Sequence, residues 1–165
     1  MNAKKISFLG LLIALAFVLS YVEVILPINI GIPGAKIGLA NLVVMVALYT
    51  IGGKNAFLLS IVRVILVGFT FGNMAMMMYS MAGALLSFVI MALAKKFGSF
   101  SITGVSVLGG VFHNVGQIIV AIFVMSTGQL IYYLPVLIIL GTITGLVIGL
   151  VAGMICQRIK GVFEV

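Results

Sequence analysis

The chain has 165 residues, of which 64% are apolar and 7% charged, with nine Lys and Arg against two Asp and Glu. A soluble domain carries about 25% charged residues, so this composition cannot build a water-facing surface. At about 20 apolar residues per membrane span, the chain has room for five or six spans and almost no extramembrane mass.

Six apolar segments follow one another along the sequence. They run from Ile6 to Leu26, Ile37 to Ile51, Ala56 to Phe71, Ala75 to Ala94, Ile102 to Met125 and Ile131 to Gln157. Turn-forming residues separate them: the Pro27–Gly34 stretch, Gly52-Gly53-Lys54-Asn55, Gly72-Asn73, Lys95-Lys96-Phe97-Gly98, and Ser126-Thr127-Gly128-Gln129. The expected fold is an all-α integral membrane bundle of six transmembrane helices, a single domain over residues 1–165. The second and third segments are short for a span, which implies tilt or a first connection that dips into the bilayer. Lys4-Lys5 before an apolar run mimics a signal peptide. The run is too long for one and more spans follow, so an uncleaved first helix is expected.

The cations set the orientation. With the N-terminus inside, Lys4, Lys5, Lys54, Lys95, Lys96, Arg158 and Lys160 all fall on the cytoplasmic side, and Lys36 falls outside. This is a strong positive-inside signal, and cations at both ends favour an even number of spans. The expectation is a multi-pass protein of the cell membrane with both termini cytoplasmic. The same placement explains the net charge of +7 without a nucleic-acid partner.

Composition also excludes chemistry. The chain has no aspartate, and its two carboxylates are Glu23 and Glu164. It cannot form the aspartate clusters that hold Mg²⁺ and diphosphate in a chain-elongating prenyltransferase. His113 and Cys156 are single, too few for an all-protein zinc site. Gly52-Gly53-Lys54-Asn55 lacks the spacing and the hydroxyl of a phosphate-binding loop. No catalytic residue, metal or cofactor is expected.

Polar groups inside the apolar segments are costly, at least about 2.5–3.5 kcal/mol for a charge at a helix centre. Arg63 lies roughly 12 Å deep at 1.5 Å per residue. On a helix, Ser60, Arg63 and Thr70 share one face. Glu23 sits near the outer end of the first segment, one turn from Ser20. Asn41 is about one turn into the second, below Lys36. In the fifth segment Gly110, His113, Asn114 and Gln117 fall within an arc of about 100°. Under the assigned orientation Glu23, Lys36, Asn41, Asn114 and Gln117 occupy the outer half, with Arg63 and His113 near the midplane. This common depth predicts a shared cavity open to the outside. Two readings stay open: Arg63 pairs with Glu23, or it meets a solute. The fifth-segment residues likewise serve either as interhelical hydrogen-bond glue or as ligands. The charge inventory of such a cavity favours an anionic or zwitterionic solute. Apolar walls, with Tyr21 and Tyr79, would suit a hydrophobic part.

Small residues mark close helix contacts. Gly141, Gly145, Gly149 and Gly153 repeat at spacing four in the sixth segment, and Gly10 and Ala14 form a shorter stripe in the first. The Met74–Met81 run reads as adaptable packing or a lid.

Three stretches carry a resemblance: Pro33-Gly34-Ala35-Lys36-Ile37-Gly38-Leu39-Ala40-Asn41; Arg63-Val64-Ile65-Leu66 with Met81-Ala82-Gly83-Ala84-Leu85-Leu86-Ser87; and Gly104-Val105-Ser106 with His113-Asn114-Val115-Gly116-Gln117. They resemble the Gx transporter family, also labelled heptaprenyl diphosphate synthase component I. That family is similar in architecture to the substrate-binding S components of energy-coupling factor (ECF) transporters. The resemblance implies a six-helix bundle with both termini inside and an outward-facing pocket. It implies a membrane T component docked on small residues of the first helix, here Gly10 and Ala14, and ATPases that supply energy. On this reading Glu23, Lys36, Asn41, Arg63, His113, Asn114 and Gln117 bind a small anionic or amphipathic solute. The label leaves a second reading open, an accessory membrane subunit of isoprenoid or quinone metabolism without catalysis of its own. A third, a structural partner in a membrane complex, rests on the glycine stripe.

Overall fold

The computed structural model describes residues 3–25 and 38–159. The connection Pro27–Lys36, Lys36 itself, and everything from Lys160 onward lie outside the described residues.

Among the described residues six α-helices make up the bundle: α1 (Ala3–Ile25), α2 (Leu39–Thr50), α3 (Gly53–Phe71), α4 (Met74–Phe97), α5 (Ile102–Met125) and α6 (Leu134–Arg158). A 3₁₀ turn, Gly128–Tyr133, leads into α6. The ends follow local chemistry. Asn73 caps α4 by accepting a hydrogen bond from Met76 N–H at 2.8 Å. Ser101 caps α5 by accepting from Gly104 N–H at 3.1 Å. Gly98 closes α4 at φ 70°, a conformation glycine adopts without cost. Inside the helices Ser20, Thr50 and Thr144 return their hydroxyls to the carbonyls of Ala16, Val46 and Leu140. In an apolar medium this satisfies a donor that has no water to meet.

Five of the helical segments, α1, α3, α4, α5 and the stretch ending in α6, are long and apolar enough to cross a membrane. The second is different. α2 has 12 residues, about 18 Å at 1.5 Å per residue, against about 30 Å of bilayer core. Of the two segments expected to be short, only α2 is; α3, with 19 residues, is long enough to cross. Ala40 and every residue from Val43 to Leu48 are buried, and α2 packs against α1, α3 and α6. A helix enclosed on all sides reads as apolar on all sides, so α2 has no polar stripe in the sequence.

The outer surface is apolar too. Leu11, Phe69, Phe123, Tyr132 and Leu150 are exposed. With polar groups turned inward, this is a surface for lipid.

Glycines knit α4, α5 and α6 together. A Cβ built on Gly116 would lie 2.7 Å from the Ala82 carbonyl oxygen of α4, and one on Gly145 would lie 2.7 Å from Val107 Cα of α5. Gly149 meets Thr103 Cα at 2.6 Å in the same sense, and Gly110 and Gly141 face each other backbone to backbone. Three glycines of the α6 stripe are therefore spent inside the bundle. Gly153, the fourth, has nothing within 4 Å. Ser87 Oγ adds a hydrogen bond to the Gly109 carbonyl at 2.8 Å.

The described cations other than Arg63 sit at helix ends: Lys4 and Lys5 begin α1, Lys54 begins α3, Lys95 and Lys96 finish α4, and Arg158 finishes α6. Lys95 Nζ donates to the Leu48 carbonyl at 2.6 Å and lies 4.6 Å above the Tyr49 ring. That contact joins the finish of α4 to the finish of α2 and satisfies an orphan carbonyl.

Candidate functional site

A cavity of about 60 Å³ opens between the helices. Its wall takes Ser20 and Glu23 from the last turns of α1, and Gly38 and Asn41 from the start of α2. Arg63, Val64, Val67, Gly68 and Phe71 contribute from the second half of α3 and Gly72 from just beyond it, and Met76, Met77 and Ser80 from the first turns of α4. Gly110, His113, Asn114 and Gln117 come from the middle of α5, and Thr144 from α6. The cavity thus lies where α1 and α3 finish and α2 and α4 begin, away from the end that carries Lys4, Lys54, Lys95 and Arg158.

Six of the residues singled out from the sequence, Glu23, Asn41, Arg63, His113, Asn114 and Gln117, line this one space. Lys36, the seventh, lies outside the described residues. The four-residue arc on α5 faces inward as the 3.6-residue period dictates. Other expectations land elsewhere. Ser60 is buried but does not line the cavity. Thr70 returns its hydroxyl to Leu66 and is exposed. Tyr21 is 45% exposed and packs its ring 4.9 Å from Phe71, so the aromatic group in the wall is Phe71, not Tyr21 or Tyr79.

Glu23 and Arg63 are not bonded to each other among the described residues. Glu23 Oε1 accepts the backbone N–H of Leu39 at 2.7 Å. Leu39 is the first residue of α2, so the carboxylate satisfies an orphan donor and sits at the positive end of the helix dipole. Gly38 makes this approach possible at φ 82°, and a Cβ there would come within 2.9 Å of Asn41 Nδ2. Glu23 still acts on Arg63 electrostatically.

Arg63 is 8% exposed, and its Nε has no hydrogen-bond partner among the described residues. A buried guanidinium in that state is costly. Asn114 is partly committed, since its Nδ2 donates to the Leu137 carbonyl of α6 at 2.7 Å. The α5 arc is held close to α4 by Gly83, whose Cβ would lie 2.7 Å from the His113 carbonyl oxygen and 2.8 Å from Gln117 Cγ.

The remaining wall is apolar: Val64, Val67 and Phe71 from α3 and Met76 and Met77 from α4. Gly68 lets Met77 approach, since a Cβ built there would fall 2.8 Å from Met77 Cγ. Sequence reasoning gave the methionine run a packing or lid role without placing it here, and it missed Ser80 and Thr144 altogether. The site therefore has a polar side made by α5, Arg63 and Asn41, and an apolar side made by α3 and α4. Among the described residues no cluster of His, Cys, Asp and Glu could hold a metal.

On the exposed face of α1, Gly10 has nothing within 4 Å, and Ala14 is exposed one turn further along.

A family model described as heptaprenyl diphosphate synthase component I matches residues 12–155. No curated protein matches the chain, and no solved structure does.

Proposed function

The chain belongs to the heptaprenyl diphosphate synthase component I family, and we propose that it is a solute-binding membrane subunit of an uptake transporter of the ECF type. One observation carries this reading: six polar residues chosen from the sequence, on four helices, line one cavity. Polar groups within membrane spans are expensive unless they serve a function.

The bundle lies in the cell membrane with its termini in the cytoplasm, because the cationic helix ends belong inside. The cavity then opens outward. A small anionic or amphipathic solute enters there. Arg63 balances its charge. Asn41, His113, Asn114 and Gln117 orient it by hydrogen bonds, and Glu23 holds the start of α2 in place beside it. The α4–α6 half, locked by its glycines, is the stiff wall, and α1–α3 form the half that yields. Release inward needs an outside source of energy, since the chain has no phosphate-binding loop. A membrane T component with ATPases supplies it, docked on the open Gly10–Ala14 face of α1.

The test is a thermal-shift screen of chemically varied solutes on the purified protein, with Arg63→Ala and His113→Ala beside the wild type. The expected result is a solute that raises the midpoint of the wild type and not of the two variants. If no solute separates them, the reading fails.

The family description favours a second reading, an accessory membrane subunit of a multi-subunit prenyl diphosphate synthase. Co-purification with a soluble prenyltransferase, together with a change in its product length, would support it. Failure of the two to associate in nanodiscs would remove it.

A further inference from the structure

We infer that the cavity takes a molecule with a single carboxylate head and a short apolar body; this rests on the solute-binding reading above. The head follows from Arg63. The residue is more than nine-tenths buried, lines the cavity, and keeps Nε without a partner among the described residues. The one described carboxylate in the wall, Glu23, spends Oε1 on Leu39 N–H. A planar guanidinium fork matches a carboxylate in two parallel hydrogen bonds.

Charge counting over the described wall favours the head with the least negative charge. Among the described residues the wall holds one guanidinium and one carboxylate. A phosphate monoester carries about −1.5 to −2 at pH 7, and a diphosphate carries more. Either would face Glu23 with charge that Arg63 cannot balance. The body follows from the opposite wall, where Val67, Phe71, Met76 and Met77 offer apolar surface. The cavity is small, about 60 Å³, so it suits a head with a short body. Such an acid reaches the cavity from water or from the bilayer, and chain length separates the two sources.

The experiment measures binding to the full-length protein in nanodiscs. Straight-chain carboxylic acids of increasing length are compared with their primary amides, with the matching amines and with monoalkyl phosphates. Acids are expected to bind at least about tenfold more tightly than amides of the same shape, and about fourfold more tightly per added methylene until the cavity is full. An optimum at short chains means a water-borne solute. A rise that continues only for acids partitioned into the bilayer means a membrane-borne one. Arg63→Gln is expected to abolish the preference for acid over amide and to raise the midpoint of the ligand-free protein, because it removes a buried charge that has no bonded counter-ion among the described residues. A merely structural Arg63 would lower that midpoint instead. Equal binding of acids and amides, or tighter binding of phosphates or amines, overturns the carboxylate assignment and leaves solute binding standing. The lack of any binding, here and in the broad screen, overturns both.

Discussion

Glu23 Oε1 lies 2.7 Å from the backbone nitrogen of Leu39, so this carboxylate caps α2 and leaves Arg63 without a bonded counter-ion among the described residues. The two residues come from different helices, sixteen positions apart. Their contact fixes the start of a helix too short to span the bilayer alone.

That relationship predicts an asymmetry between two substitutions. Glu23→Ala frees Leu39 N–H and should cost about 1 kcal/mol, the usual worth of a helix cap. Glu23→Gln keeps an acceptor oxygen and should cost the charge–dipole part, about 0.3–1 kcal/mol, plus its unbonded attraction for Arg63. Chemical denaturation in mild detergent measures both. Were Glu23 the real partner of Arg63, Glu23→Gln would strand a buried charge and cost about 3–5 kcal/mol.

The α5–α6 crossing predicts which glycines matter. Gly145→Ala places a methyl against Val107 Cα and the Ser106 carbonyl. Backbone cannot yield as a side chain does, so a loss of about 1–3 kcal/mol is expected. Gly153→Ala meets nothing within 4 Å. It should be neutral or stabilising by up to about 1 kcal/mol, as alanine is the better helix former. Thermal midpoints of the two variants give the comparison.

Neighbours on the α5 arc should separate stability from binding. Asn114→Leu loses the bond to the Leu137 carbonyl and should lower stability by about 0.6–2 kcal/mol. Gln117→Leu should leave the midpoint almost unchanged and weaken solute binding. Equal loss of stability in both would mean that the arc is glue throughout.

On α1, Gly10→Leu and Ala14→Leu should leave the fold intact, since both positions are exposed. They should reduce co-purification with a membrane partner subunit. Undisturbed assembly would move the docking face elsewhere.

Much of this was legible in the sequence because apolar runs and their breaks follow directly from the bilayer. The predicted fifth segment, Ile102 to Met125, coincides with α5, and the Gly72 break falls at the α3–α4 junction. The α5 arc was legible because four polar or small residues on an apolar helix can only share a face at helical spacing. The central burial of α2 was not legible, since a protein core and a lipid tail demand the same residues. Nor was the target of Glu23, because a backbone N–H leaves no mark in a sequence. The apolar half of the cavity was hidden for the same reason as α2. Met76 and Val67 look like any lipid-facing residue until the bundle closes around them.

The most direct test is a structure of the protein purified from membranes with its copurifying solute. Density is expected between Arg63, Asn41 and Gln117, within hydrogen-bond distance of the guanidinium Nε and bounded by Phe71 and Met77. A map with Arg63 bonded to Glu23 and the helices closed over the space would contradict it.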